Sequence, residues 1–368
     1  MNIKKIVFLF FLSINIVFTG TTIYAIDFSV ATGNVLYDLS YLKYYYGSEP
    51  VDMRQRIASF NREMNNLKQR NTDIICFQEW LYKEPGQNDF AKSRVAVDEN
   101  LKSFKVFTGS AKELGNREAE EISSAKDLAS YRNHEQAVNF NNIIQQLFVN
   151  NGYQKVECLP PTEADPEAVD GSLILFNSQK FNLLETHRIV LDKAVKKKAA
   201  LLVKLQPKDD ASKVVWVLSV HFPVFLKFPV RYENEIVGNL TEIMRRYTDP
   251  ANDNHWIICG DFNSEVFDAN RRIEIDLPNK VALTDVTSRI PKDPKLVTGV
   301  EWNGDRKRYD YMFYSSNIGM IPGSQKIIPE NSGQLIRHEQ NFKEPYVYPE
   351  NNPYFSDHAT LFARFRLK

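Results

Sequence analysis

An α/β fold is predicted by three features of this 368-residue chain. Short, nearly uninterrupted apolar runs recur at residues 73–77, 171–177, 214–221 and 256–259, the pattern of strands covered on both faces. Two stretches, Met53–Arg70 and Val230–Tyr247, instead carry apolar residues at helical spacing. Strand and helix signals alternate early and strands follow one another through the middle, with neither an internal repeat nor a dividing linker.

The elements follow in order. Residues 1–25 are expected to be an export signal: Lys4 and Lys5 make a basic start, Ile6–Phe18 is apolar apart from Ser13 and Asn15, and cleavage is expected after Ala25. The apolar run is shorter than the roughly 20 residues of a spanning helix, so an uncleaved anchor is the second choice. The chain from 26 to 368 is then one domain. Ile26–Leu36 reads as the first strand and Tyr37–Pro50 as an aromatic-rich loop. Met53–Arg70 reads as a helix facing the core with Ile57, Phe60, Met64 and Leu67, ended by Asn71-Thr72. Asp73–Phe77 is a buried strand. Residues 111–148 are expected to close on a helix with an apolar face at Ile143, Leu147 and Phe148, after an unstructured insertion. Pro160–Pro166 is a loop, and strands are expected at Gly171–Asn177, Phe181–Leu191, Ala199–Leu205 and Val214–His221. A helix follows over Val230–Tyr247, with Ile236, Leu240, Ile243 and Tyr247 inward. Trp256–Cys259, Tyr311–Tyr314 and Thr360–Leu367 are the closing strands.

Charge and cysteines narrow the chemistry. The chain holds 46 basic and 46 acidic residues, and loss of Lys4 and Lys5 leaves 44 against 46. That balance excludes a global basic field of the kind that drives non-specific nucleic-acid binding, so a nucleic-acid substrate would need a local basic patch. Cys76, Cys158 and Cys259 are too few and too scattered for a disulfide framework or a zinc site; Cys76 and Cys259 read as buried small hydrophobes.

Polar residues at the strand ends carry the functional signal. Asn34 closes the first strand after Gly33. Gln78-Glu79 closes the second, and a carboxylate there is costly unless it is paired or binds a cation. His221 ends a third strand. Gly260-Asp261-Phe262-Asn263 follows a fourth, with Gly260 free to take a positive φ; Asp261 suits proton removal from water and Asn263 suits its orientation, against the plainer reading of an Asx turn. Asp310 is a plausible partner for His358, fixing its tautomer. Arg306 and Arg308 are candidate substrate contacts. Carboxylates for a hard cation, two imidazoles and two amides are together the parts of metal-assisted phosphoester hydrolysis.

The same fragments resemble the endonuclease/exonuclease/phosphatase superfamily, the metal-dependent group that includes deoxyribonuclease I, exonuclease III, neutral sphingomyelinases and inositol polyphosphate 5-phosphatases. The resemblance runs from Asn34 to His358 through Gln78-Glu79, His221, Gly260–Asn263, Asp310-Tyr311 and Ser356-Asp357-His358. Asn34-Val35-Leu36 with Asp38, Asp170–Phe176 with Lys180-Phe181, and Asp310–Ser315 resemble most the deadenylase, nocturnin and Angel branch. Trp80, after Glu79, and Phe222-Pro223, after His221, depart from that branch.

The resemblance implies a four-layer α-β-β-α sandwich of the deoxyribonuclease I-like type, with the site at one edge. It implies Mg²⁺ (or Mn²⁺) held by Glu79, Asp357 and Asn34, with Asp261, Asn263, His221, His358 and Asp310 as the catalytic set. The expected activity is that of a secreted or periplasmic monomer with no obligate protein partner. Its expected substrate is a phosphodiester, first in nucleic acid or a nucleotide. The rivals are a phospholipase C-type sphingomyelinase or inositol-phosphate phosphatase, with Tyr44–Tyr46 and Phe222–Phe228 as a membrane-facing rim, and a non-catalytic exported binding protein on the same scaffold.

Overall fold

A computed structural model describes residues 25–35, 53–80, 139–158, 171–191, 199–222, 229–248, 255–264, 272–275, 281–287, 298–300, 306–328, 356 and 358–367. The expected export signal up to residue 24, the tyrosine-rich loop at 37–50 and the expected insertion from 111 to 138 lie outside them. The elements begin with β1 (Asp27–Asn34), α1 (Met53–Gln69), β2 (Ile74–Gln78) and α2 (residues 139–147). Next come β3 (Tyr153–Cys158), β4 (Ser172–Asn177), β5 (Phe181–Val190), β6 (Ala199–Pro207), β7 (Val215–His221), α3 (Pro229–Tyr247) and β8 (Trp256–Asp261). The rest are β9 (Arg272–Ile275), β10 (Val281–Asp285), β11 (Gly299–Val300), β12 (Arg306–Lys307), β13 (Asp310–Ser315), β14 (Ile318–Met320), β15 (Lys326–Ile328) and β16 (Thr360–Leu367).

The apolar runs become strands buried on both faces, because two sheets pack together and helices cover their outer sides. One sheet has the order β14-β16-β1-β2-β4-β3, with β15 also on β16; the other has the order β5-β6-β7-β8-β13-β10-β9. Alternation along each strand sorts the side chains. Val30, Ile74, Cys76 and Ile174 of the first sheet share one core with Val203, Val217, Ile257 and Met312 of the second. On the outer face of the first sheet, Ile75, Phe77, Leu173 and Leu175 pack against Phe60, Met64 and Leu67 of α1 and Phe140 and Ile144 of α2. On the outer face of the second, Leu202, Leu218 and Ile258 pack against Ile236, Leu240, Ile243 and Met244 of α3. Each such side chain, removed from water, contributes about 1.5–3 kcal/mol. The expected face of α2 is corrected by one step: Phe140, Ile144 and Phe148 are buried, whereas Ile143 and Leu147 are only partly so.

The expected strands are all present among the described residues. The sheets also recruit β3, β9, β10, β14 and β15, which the apolar pattern did not single out. Cys76 and Cys259 are buried in the inter-sheet core, and burial together with the neighbouring Cys259 thiol pushes the Cys76 thiol well above its ordinary value. No helix among the described residues is long and apolar enough to cross a membrane.

One core carboxyl has a stability consequence. Glu63 of α1 is buried, and the Thr360 hydroxyl of β16 donates to its Oε1. Burial raises this group from 4.5 to about 8, the Thr360 bond opposing the rise only in part. As pH rises the unfolded chain loses the proton first. The stability contributed by neutral Glu63 is therefore complete below 4.5 and is lost as pH climbs towards 8. Glu63→Gln keeps an oxygen for Thr360 and cannot ionise. Its melting temperature should match that of the wild-type protein near pH 4.5 and exceed it at pH 8, by a free energy on the order of a few kcal/mol. Thermal melts across that range check this; a gap that fails to widen with pH contradicts it.

Candidate active site

The site lies where the inter-sheet space opens at the ends of the parallel strand pairs. β1 and β2 run parallel, with Asn34 beside Gln78, and β7 and β8 run parallel, with His221 beside Asp261. β13 returns antiparallel to β8 and sets Asp310 beside Asp261. Register thus lines up His221, Asp261 and Asp310 on three adjacent strands. Parity points them into the gap that Val217 and Cys259 fill deeper in the sandwich.

Asp261 is the geometric centre. Its Oδ2 lies 3.0 Å from Asn34 Nδ2, 3.5 Å from His221 Nε2 and 3.8 Å from His358 Nε2. Its Oδ1 accepts the Asn263 N–H at 2.8 Å, so one carboxylate oxygen is held by backbone while the other faces the imidazoles. The bond is an Asx turn; Asn263 takes a positive φ (48°), and its side chain donates to the Phe222 carbonyl at 2.7 Å. The motif is thus an Asx turn whose acid faces the two imidazoles.

Asn34 also donates to Glu79 Oε1 at 3.1 Å, tying a carboxylate of the first sheet to one of the second. Glu79 Oε1 stands 3.9 Å from His221 Nε2, and at 19% side-chain exposure Glu79 faces solvent more than Asp261 does. Glu79 too takes a positive φ, 55°. Such a conformation costs a non-glycine residue about 1–3 kcal/mol and persists only where the surroundings dictate it.

His358, just before β16, accepts its orientation from Asp310, whose Oδ2 is 2.8 Å from Nδ1. Asp310 is buried, and that burial raises its carboxyl to about 6 in spite of the opposing His358. Above that value the ionised carboxylate takes the Nδ1 proton as a hydrogen bond and leaves Nε2 towards Asp261. Thr298 fixes this corner: its Oγ1 accepts the N–H of Tyr309 and of Asp310 at 2.9 Å each, and its carbonyl accepts the Ala359 N–H at 2.8 Å. The Ser356 hydroxyl accepts the His358 N–H at 3.1 Å.

Two residue sets take roles that the sequence did not assign. Thr298 is one. The other is the crosspiece beneath the site, where Gln78 Nε2 donates to Thr32 Oγ1 at 3.1 Å and to Ser219 Oγ at 2.9 Å. All three are buried among apolar side chains. This amide links β1, β2 and β7, and thereby the two sheets, one layer below Asn34 and His221. Buried polar groups inside a strand were the available signal for it.

Arg308 is partly buried. It pairs with buried Asp285 through Nη2 and lies over the Tyr311 ring at 4.3 Å, bracing β13 against β10. The side chain of Arg306, all of Asp357 and the rim residues Tyr44–Tyr46 and Pro223–Phe228 are outside the described residues. Phe222, expected on a membrane-facing rim, and Trp80 are core residues. Phe222 packs on Phe262, and Trp80 stacks on Phe77.

The donor set fits a hard divalent cation. Asp261 and Glu79 are held on one amide, with Asp310 close by, so three carboxylates converge on little more than two imidazoles. Such a cluster of like charge calls for a cation. Glu79 and Asn34, both named from the sequence, are hydrogen-bonded to each other. A separate group, Asp261, Asp310 and His358, brings one ligand atom from each within 4.8 Å of the others.

No protein-family model matches the chain, and no curated protein matches it in sequence. Solved structures do. ANGEL2, described as a 2′,3′-cyclic phosphatase, in complex with adenosine-2′,3′-vanadate, matches with a TM-score of 0.56 at 17% identity over 94% of this chain and 97% of its own. ANGEL2 solved without that ligand matches at 0.52 and 16% over 94% and 96%. The human nocturnin catalytic domain with bound sulfate matches at 0.48 and 15% over 93% and 95%. The ANGEL2 matches show the fold: a four-layer α-β-β-α sandwich of the deoxyribonuclease I-like type.

Proposed function

We propose that this protein is an exported, divalent-metal-dependent hydrolase of phosphoester bonds, of the endonuclease/exonuclease/phosphatase superfamily, acting on a phosphodiester in nucleic acid or a nucleotide. The observation that carries the reading is the convergence of three side-chain nitrogens, from Asn34, His221 and His358, on Oδ2 of Asp261, beside the partly exposed Glu79. A structural pair would need one partner; three, drawn from both sheets, make a reaction centre. The ANGEL2 fold match, together with the adenosine-2′,3′-vanadate carried by that structure, supports the substrate class. Export rests on Lys4-Lys5 and the apolar run Ile6–Phe18.

Glu79 and Asn34, with Asp357, would hold Mg²⁺ or Mn²⁺, which when bound polarises a phosphate oxygen and stabilises the leaving oxyanion. The chain's own residues do the rest. Asp261, with Oδ1 fixed by the Asn263 N–H, turns Oδ2 to the attacking water and takes its proton. Asn263 keeps that carboxylate aimed. His221 donates from Nε2 to the charge that builds on the phosphoryl oxygens. His358, held by Asp310, presents Nε2 to the same group.

The test is purified protein lacking residues 1–25, with Mg²⁺, with Mn²⁺ and with EDTA. The substrates, offered in parallel, are single-stranded DNA, RNA, RNA ending in a 2′,3′-cyclic phosphate, inositol phosphates and sphingomyelin vesicles. Turnover of a nucleic acid or nucleotide that EDTA abolishes is expected. Turnover of the lipid or inositol substrates alone moves the substrate class, and no metal-dependent turnover on any of them removes the reading.

A further inference from the structure

Glu79 keeps its left-handed backbone through its neighbours. On one side Gln78 is held in mid-sheet, paired with Asn34 of β1 and Ser172 of β4, and pinned by its own side chain to Thr32 and Ser219. On the other side the Trp80 N–H donates to the Gly171 carbonyl at 3.0 Å, and its ring lies buried at 6.3 Å from Phe77, nearly parallel to it at 21°. The indole Nε1–H donates to Glu157 Oε1 of β3 at 3.0 Å. That oxygen pairs with Lys155 Nζ at 2.9 Å, and Lys155 Nζ donates to Asn141 Oδ1 of α2 at 3.0 Å. A continuous polar chain thus runs from a covering helix, through the edge strand, to the residue following the strained acid.

We propose that Trp80 is a positioning residue of the site: its indole hydrogen bond to Glu157 locks the left-handed turn at Glu79 and sets where the Glu79 carboxylate stands against Asn34 and Asp261. An aliphatic residue at position 80 would fill the same core and leave the turn without this tie to β3. A strained conformation at a reacting group survives when the surroundings over-determine it, and a hydrogen bond has direction where apolar packing has little. The inference rests on Glu79 holding the divalent ion, as proposed above.

The experiment measures Mn²⁺ binding by electron paramagnetic resonance, with the melting temperature of each variant alongside. Trp80→Phe keeps a ring on Phe77 and loses the N–H. Glu157→Leu removes the acceptor without touching the ring. Glu157→Gln keeps an acceptor oxygen and serves as the conservative rescue. Outer partners of metal ligands are typically worth 10–100-fold in affinity. Trp80→Phe and Glu157→Leu are expected to weaken Mn²⁺ binding at least roughly tenfold, on the same scale, and Glu157→Gln to stay near the wild-type value. In a Glu79→Gln background Trp80→Phe should add nothing. Wild-type affinity in Trp80→Phe, with only a lower melting temperature, overturns the proposal and leaves the metal reading standing. Wild-type Mn²⁺ binding that Glu79→Gln does not weaken overturns both.

Discussion

Asp261→Asn should lower kcat by about 10³-fold or more, within the range general-base catalysis supplies, and should leave the protein at least as heat-stable as before. Oδ2 lies within reach of Asn34, His221 and His358 together, so among the described residues it holds the central position of the site. Asparagine can still accept the Asn263 N–H and preserve the Asx turn, so the local backbone should not change. It also removes a charge from a site that is 1% exposed, which relieves desolvation at the expense of chemistry. Turnover of the substrate found by the panel, set beside circular dichroism and a thermal melt, checks this. A variant within tenfold of the parent activity removes Asp261 from the centre of the mechanism.

Gly260→Ala should have the largest effect on stability, destabilising the fold by more than about 4 kcal/mol or preventing its accumulation. Gly260 has φ of 138°, a region L side chains rarely adopt, and an added Cβ would lie 2.0 Å from the Val220 carbonyl oxygen. That oxygen belongs to the backbone of the neighbouring parallel strand, where Val220 is paired with Gly260, so no rotamer can relieve the clash. Relief requires β7 and β8 to separate directly below His221 and Asp261. Recovery of soluble protein and its denaturation midpoint test this, and a soluble variant with an unchanged midpoint would falsify it.

These two neighbours show how much was legible beforehand. Gly260-Asp261-Phe262-Asn263 could be read as a glycine turn carrying an acid and an amide, because a buried strand that stops at such residues has few other uses for them. The clash that makes glycine obligatory could not be read, since it depends on a partner strand forty residues away. The core strands were likewise visible in their apolar runs. The edge strand β5 was visible too, but β3 was not: Tyr153–Cys158 mixes Gln154, Lys155 and Glu157 with its apolar residues, and carries no long run. Its pairing with β4 comes from the sheet it completes. The pairing of Arg308 with Asp285 could not be read for a related reason. An arginine before Asp310 reads the same in sequence whether or not it pairs with a buried acid, as Arg308 does with Asp285.

Local chemistry along the chain determined which residues could matter: acids, imidazoles and amides stood at the ends of strands that had to be buried, where each would be costly without a task. Tertiary structure alone decided how they meet. The parallel registers of β1 with β2 and β7 with β8, and the facing of the two sheets, bring Asn34 and Glu79 to Asp261 and His221. The physical reason is the range of the forces involved. Burial and turn preference act on neighbours in the chain, whereas a hydrogen bond of about 3 Å between residues 34 and 261 exists only once two separate sheets have packed.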